Sequence, residues 1–146
     1  MDDFAFTADE ERLLVRLLDV IVPPSGDGRL PGAGQLGLVE HIARTVRETP
    51  MLRPVVEYGM SALGELAAKR GDGDVRAVLE EFAAGDQFFM PAFLFLVYST
   101  YYQNPRVLAA LGLEARPPHP KGHEMEPIDL TLLDPVRRRD GLFRKV

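Results

Sequence analysis

The sequence contains no cysteine and no apolar segment long enough to cross a membrane. Without cysteine, the chain forms no disulfide, carries no thiol nucleophile and binds no metal or iron–sulfur cluster through thiolates. The most apolar segment, residues 88–102, includes Pro91 and is shorter than the roughly 20 residues that a spanning helix needs. Residues 1–14 are acidic, whereas a signal peptide begins with a basic region followed by an apolar one. We therefore expect a soluble, cytoplasmic protein with no direct membrane insertion, or a periplasmic one if it is exported with a partner or is a mature fragment.

Basic residues are too few for a protein that binds nucleic acid over a broad surface. The 146 residues carry 17 Lys and Arg against 22 Asp and Glu, which gives a net charge of −5. The charge is uneven, because residues 1–111 hold 10 basic and 16 acidic residues (−6) and residues 112–146 hold 7 and 6 (+1). The length suits one domain of ordinary size.

Local signals predict a helical bundle over residues 1–111. Thr7 begins a capping box at the start of a first helix, and Asp74 is a suitable N-cap for a later one. Thr49-Pro50 offers an N-cap and a first-turn proline, and Gly71 stands where a glycine commonly ends a helix. No segment alternates apolar and polar residues over the length of a strand, so we expect no sheet. The predicted fold is a single small all-α bundle of about five or six helices.

Residues 88–102 are predicted to form the central helix of this bundle. They are apolar on nearly every face, and seven of them are aromatic. A helix with this composition is buried in the core of a globular protein. The residues that we expect to be nearly fully buried are Phe88, Phe93, Leu96 and Val97.

Residues 112–146 are predicted to form a proline-rich, extended tail of the same domain. Its prolines exclude a continuous helix, yet its apolar side chains need a surface that covers them. That surface is either the chain's own bundle or another protein, and the arginines at 137–139 add positive charge to either contact. The candidate partner-contacting residues are Ile128, Leu130, Leu132, Leu133, Val136, Arg137, Arg138, Arg139 and Phe143.

No arrangement of residues predicts a catalytic, cofactor or metal site in this chain. Residues 32–37 match the G-x-G-x-x-G dinucleotide fingerprint, but that motif follows a strand, and here an amphipathic helix precedes it. The glycines are then expected to let two helices pack closely. His119 and His123 supply metal donors together with nearby carboxylates, but the surrounding prolines disfavour the helix that would bring both rings together. His41 has no nucleophile beside it in the sequence, which favours a surface histidine.

Three stretches of the sequence resemble the gluconate 2-dehydrogenase subunit 3 family. The first joins LDVIVPP (residues 18–24) to LPGA (residues 30–33) and Gly37. The second is YYQNPRV (residues 101–107) followed by ALG (residues 110–112), and the third runs from LDPVR (residues 133–137) to residues 143–144. In order and spacing they cover nearly the whole chain.

The resemblance implies a small helical accessory subunit that is not catalytic. Members of the family accompany a large flavin-dependent dehydrogenase of the glucose–methanol–choline type, often with a cytochrome c subunit, and help it to fold, mature or reach the periplasm. By this resemblance the substrate is a sugar, a sugar acid or a similar alcohol, the FAD lies in the partner, and this chain holds no cofactor. Many members carry a twin-arginine signal, which this sequence lacks. The alternative is a stand-alone helical ligand-binding protein or small enzyme with an aromatic-lined pocket.

Overall fold

The computed structural model describes residues 4–71, 73–115, 122 and 127–139. The chain divides into two compact units, residues 1–115 and residues 116–146. The described residues form helices and turns and contain no strand, which confirms the predicted all-α class.

Helices account for most of the first unit. Among the described residues of this unit, the α-helices are α1 (Ala8–Ile21), α2 (Val39–Glu48), α3 (Arg53–Arg70), α4 (Val75–Gly85), α5 (Phe89–Tyr102) and α6 (Pro105–Ala110), and short 3₁₀ turns lie at Ala33–Leu36 and Pro50–Leu52. The described part of the second unit contains a 3₁₀ turn at Leu130–Leu133 and the single-turn helix α7 (Asp134–Arg137).

The predicted helix ends are confirmed where the capping group is local. The Thr7 hydroxyl accepts a hydrogen bond from the amide of Glu10 at 3.3 Å, and the Glu10 carboxylate accepts one from the amide of Thr7 at 2.8 Å. The Asp74 carboxylate accepts from the amide of Ala77 at 3.0 Å and so caps α4. Gly71 follows α3 with a φ of 78°, a conformation that glycine adopts without strain.

The predicted start of the third helix is displaced. Thr49 makes no side-chain capping bond, and Pro50 opens a short 3₁₀ turn instead of the α-helix. The α-helix begins at Arg53, with Pro54 in its first turn. A second proline in a first-turn position explains the shift, because its missing amide costs nothing there.

Helix α5 packs against both α2 and α3 and supplies five buried residues to the core, but it is not buried on every face, because Phe95 and Tyr102 are exposed. On its inward face the rings of Phe89 and Phe93 stack with 4.9 Å between their centroids, and the ring of Phe82 on α4 meets Phe89 edge to face at 5.7 Å. The buried residues of α5 are Phe89, Phe93, Leu96, Val97 and Tyr101.

The prediction that Phe88 is buried is wrong. Its side chain is 79% exposed, whereas the neighbouring Phe89 is fully buried. Phe88 precedes the first residue of α5, and a helix turns by 100° per residue. The side chain of Phe88 therefore does not face the core. Phe89 occupies the buried position that was predicted for Phe88.

The tail differs in part from the predicted extended conformation. Residues 127–129 are not helical, but residues 130–137 form helical turns. The Asp129 carboxylate caps the first turn by accepting from the amide of Thr131 at 3.0 Å. Pro135 occupies a first-turn position of α7, where a proline is compatible with a helix. A prediction from proline content alone therefore makes residues 130–137 more extended than they are.

No helix in the described parts of the chain combines the length and the apolar character needed to cross a membrane.

Candidate functional site

The apolar side chains that were predicted to contact a partner are exposed in the described tail segment, residues 127–139. Ile128 and Leu132 are each 76% exposed, and Leu130, Leu133 and Val136 are about half exposed. The arginines at 137–139 are exposed next to them. Phe143, the remaining predicted contact residue, lies outside the described residues.

Short-range contacts give the tail segment its shape. The Asp129 carboxylate accepts from both the hydroxyl and the amide of Thr131, at 2.6 and 3.0 Å, and these bonds hold the pKa of Asp129 below its ordinary value. At the other end, the Arg137 guanidinium lies 3.5 Å from the Asp134 carboxylate. Leu132 and Val136 are four residues apart, so the helical turns direct both to one side.

Two of the stretches that carry the family resemblance contact one another in the first unit. The hydroxyl of Tyr101, at the end of α5, donates to the backbone carbonyl of Pro31 at 2.9 Å. The Asp19 carboxylate on α1 accepts from the backbone amide of Gly34 at 2.8 Å. These two hydrogen bonds hold the loop after α1 against α1 and α5. In the first unit, the residues that carry the resemblance therefore have a structural role.

Gly32 and Gly34 allow the loop to approach Asp19 on α1 closely. A Cβ at Gly32 would lie 2.5 Å from one Asp19 carboxylate oxygen, and a Cβ at Gly34 would lie 2.6 Å from the other. Either side chain would push the carboxylate away from the loop. The G-x-G-x-x-G match therefore corresponds to a loop packed closely on α1, whereas the sequence analysis expected the glycines to let two helices pack closely.

Tyr101→Phe is expected to lower the free energy of unfolding by about 1 kcal/mol, because the Pro31 carbonyl loses its donor. Burial, and then the nearby Tyr102, raise the pKa of Tyr101. The unfolded chain therefore ionises first, near pH 10, and this contribution to stability is complete below that pH and is lost as the pH rises through the folded pKa.

Urea unfolding at neutral pH and at alkaline pH tests both parts of this prediction, with Tyr102→Phe as the matched control. Tyr102 is half exposed, so its variant is expected to keep the stability of the native chain at neutral pH. Equal losses in the two variants would contradict the role assigned to Tyr101.

The outer face of α5 carries an aromatic surface that the sequence analysis missed. Phe95 is 70% exposed, Tyr102 is 51% exposed and Tyr98 is 43% exposed. Together with Phe88 and the exposed Pro91, they recur at intervals of three and four residues, so they lie along one side of the helix. We call Phe88, Phe95, Tyr98 and Tyr102 the aromatic stripe. Their regular spacing, offset from that of the buried residues, was the available signal.

A shallow groove adjoins each half of the aromatic stripe. The first, about 450 Å³, holds Tyr58, Asp86, Gln87 and Phe88 and is called the Asp86 groove. The second, about 420 Å³, lies between α2 and α5 and is called the Arg44 groove. Its lining includes His41, Arg44, Thr45, Phe95, Ser99 and Gln103.

The buried rings of α5 do not line these grooves. Phe89, Phe93 and Tyr101 pack against other side chains and contribute neither to the two grooves nor to a third, of about 640 Å³, between α1 and α3. That third groove has a charged rim in which Arg12 pairs with Asp9. The aromatic residues of α5 therefore divide into a packed core and an exposed stripe.

The remaining candidates for chemistry are dispersed. His41 is exposed on α2, as predicted for a surface histidine. Within the described ranges, no three histidine, aspartate or glutamate residues lie together as metal ligands. His119 and His123, the two histidines considered as metal donors, lie outside the described residues.

No family model matches the chain, and no curated protein or solved structure matches it.

Proposed function

We propose that this chain is a non-catalytic accessory subunit that binds and stabilises a large FAD-dependent dehydrogenase of the glucose–methanol–choline type. The partner oxidises a sugar, a sugar acid or a similar alcohol, and the FAD lies in the partner. A cytochrome c subunit is a further member of the complex. The proposal extends the resemblance of the sequence to the gluconate 2-dehydrogenase subunit 3 family.

The observation that carries the proposal is the exposed apolar surface of the tail segment. Five large apolar side chains between Ile128 and Val136 are about half exposed or more. Fully burying one such side chain contributes about 1.5–3 kcal/mol. Several of them together would offset a substantial part of the free energy lost when two proteins associate.

Charge at the end of the tail segment supports the same role. The residues at 137–139 are three consecutive exposed arginines, directly after the apolar side chains. Arginines at the rim of an interface accelerate association with an acidic surface and orient the partners, and this effect weakens as salt concentration rises. We therefore expect an acidic rim around an apolar groove on the large subunit.

The test is affinity purification of the tagged full-length chain from the cells that produce it. The expected result is a co-purifying large protein that shows flavin absorbance and reduces a dye when given a sugar or sugar acid. A purified chain without a flavoprotein, or a partner without flavin, would contradict the proposal.

Deleting residues 128–146 is expected to leave the helical content of the bundle unchanged and to abolish co-purification of the flavoprotein. Every buried apolar residue among those described lies between Phe4 and Val107, so the described residues of this segment contribute none to the core. Circular dichroism measures the first effect, and the flavin content of the purified material measures the second. Loss of helicity would assign the tail to the chain's own fold, and intact co-purification would remove it from the interface.

Point variants test whether the exposed apolar side chains of the tail segment bind the partner while the segment itself is kept. Ile128→Ser combined with Leu132→Ser removes the two most exposed apolar side chains of the tail segment and is expected to reduce the recovered flavin strongly. Met51→Ser is the control, because Met51 is equally apolar and exposed but lies in the first unit. Equal recovery in both variants would show that the tail segment does not bind the partner.

A further inference from the structure

Three of the four residues of the aromatic stripe are evenly spaced. Phe88 and Tyr102 each lie seven residues from Phe95, and the stripe has a length of about 21 Å along the helix at 1.5 Å per residue. A second copy turned through 180°, with its α5 antiparallel, therefore places Tyr102, Phe95 and Phe88 opposite Phe88, Phe95 and Tyr102 of the first, whereas Tyr98 lies opposite Ala92. Such reciprocal contacts are those of a two-fold interface.

The exposed area is close to what a weak dimer needs. Taking about 200 Å² for a whole aromatic residue, the four rings expose about 500 Å². A contiguous apolar patch of this size is at the upper end for a monomer surface. Two such patches facing each other would bury at most about 1,000 Å², near the lower limit for a specific interface.

The charges beside the stripe are also complementary under this rotation. The groove at the start of the stripe contains Asp86, and the groove beside its second half contains Arg44 and His41. Arg44 is exposed and forms no ion pair with any residue that the structure describes. An antiparallel copy would place the Asp86 groove of each chain at the same level along α5 as the Arg44 groove of the other. A parallel copy would bring like charges together.

We propose that two copies of this chain associate through the aromatic stripe, with their α5 helices antiparallel. Phe95 meets its symmetry mate at the two-fold axis, and Phe88 of each copy meets Tyr102 of the other. Tyr98 meets the small Pro91 and Ala92, so large side chains face small ones next to the axis. The association goes beyond the proposed function and does not depend on it.

Sedimentation velocity of the full-length chain over a wide concentration range tests the association. The expected result is a monomer–dimer equilibrium with a dissociation constant of about 1–100 µM, weakened by salt. Phe95→Asp places two carboxylates at the axis and is expected to weaken dimerisation by at least about tenfold. Met51→Asp adds the same charge at an exposed apolar site away from the stripe and is expected to leave the dimer intact.

Cross-linking tests the orientation, because the chain has no cysteine and a single introduced one is unique. In the antiparallel arrangement, Phe88 of one copy lies opposite Tyr102 of the other, whereas two copies of either residue lie far apart. Mixing Phe88→Cys with Tyr102→Cys is expected to give a cross-linked dimer with a short bis-maleimide, and neither variant alone should do so. Efficient linkage within either single variant would overturn the antiparallel arrangement.

A chain that remains monomeric at all concentrations would overturn the proposal. So would a dimer that Phe95→Asp and Met51→Asp weaken equally. If the chain is monomeric and Phe95→Asp instead abolishes binding of the flavoprotein, the stripe belongs to that partner and the self-association is refuted. The co-purification experiment with the tail variants is unaffected by any of these results.

Discussion

Phe93→Ala is expected to lower the free energy of unfolding by about 3–5 kcal/mol, the largest effect of any single substitution considered. Phe93 is 1% exposed and its ring stacks on Phe89 in the centre of the bundle. Removing the ring leaves a cavity between α5 and its neighbours, in addition to the lost transfer free energy. Urea or guanidinium unfolding of the variant measures the loss.

Phe95→Ala is the matched control for this prediction, because the same ring is removed from the same helix two residues further on. Phe95 lies on the exposed face, so in dilute solution its variant is expected to change stability by less than about 0.5 kcal/mol. A loss below about 1 kcal/mol for Phe93→Ala would contradict the assignment of α5 to the core.

Gly59→Ala is expected to destabilise the protein by about 2 kcal/mol, although alanine favours helices more than glycine does. Gly59 is buried within α3, and the ring of Phe89 lies directly against its Cα. A Cβ at this position would overlap that ring, which is itself held between Phe82 and Phe93. Because Phe89 is fully buried between these two rings, we expect the substitution to displace the ring or to move α3 away from α5.

Gly64→Ala in the same helix provides the control, because a Cβ there would meet nothing within 4 Å. It is expected to stabilise the protein by about 0.5–1 kcal/mol through helix propensity alone. The two substitutions are chemically identical, so opposite signs in thermal or urea unfolding would isolate the packing of Phe89. A stabilising Gly59→Ala would refute the close contact.

The parts of the fold that depend on near neighbours were predictable from the sequence. The capping box at Thr7 and the cap at Asp74 depend on residues three positions away, and both are present. The contribution of α5 to the core followed from its apolar composition. No long-range information was needed for these features.

The orientation of α5 was not predictable in the same way. When nearly every residue of a helix is apolar, the sequence does not show which side faces the core, so Phe88 was assigned inward and the stripe was overlooked. The contact of Gly59 with Phe89 and that of Tyr101 with Pro31 join residues 30 and 70 positions apart. Contacts over such separations have no local signature. In the tail, proline content predicts an extended chain, yet Pro135 lies in the first turn of α7, where a proline is compatible with a helix.

The late position of α5 affects how the protein folds as it is made. Helices α1 to α4 leave the ribosome before the segment that fills the centre of their core, and the loop at Pro31 meets its partner Tyr101 only after 70 further residues are synthesised. Until then the apolar faces of α2 and α3, which pack against α5, lack part of their cover, and such surfaces attract chaperones or aggregate. The bundle can therefore close only after most of its helices have been synthesised. A slow step in translation before residue 89 would prolong the time during which these apolar faces are exposed.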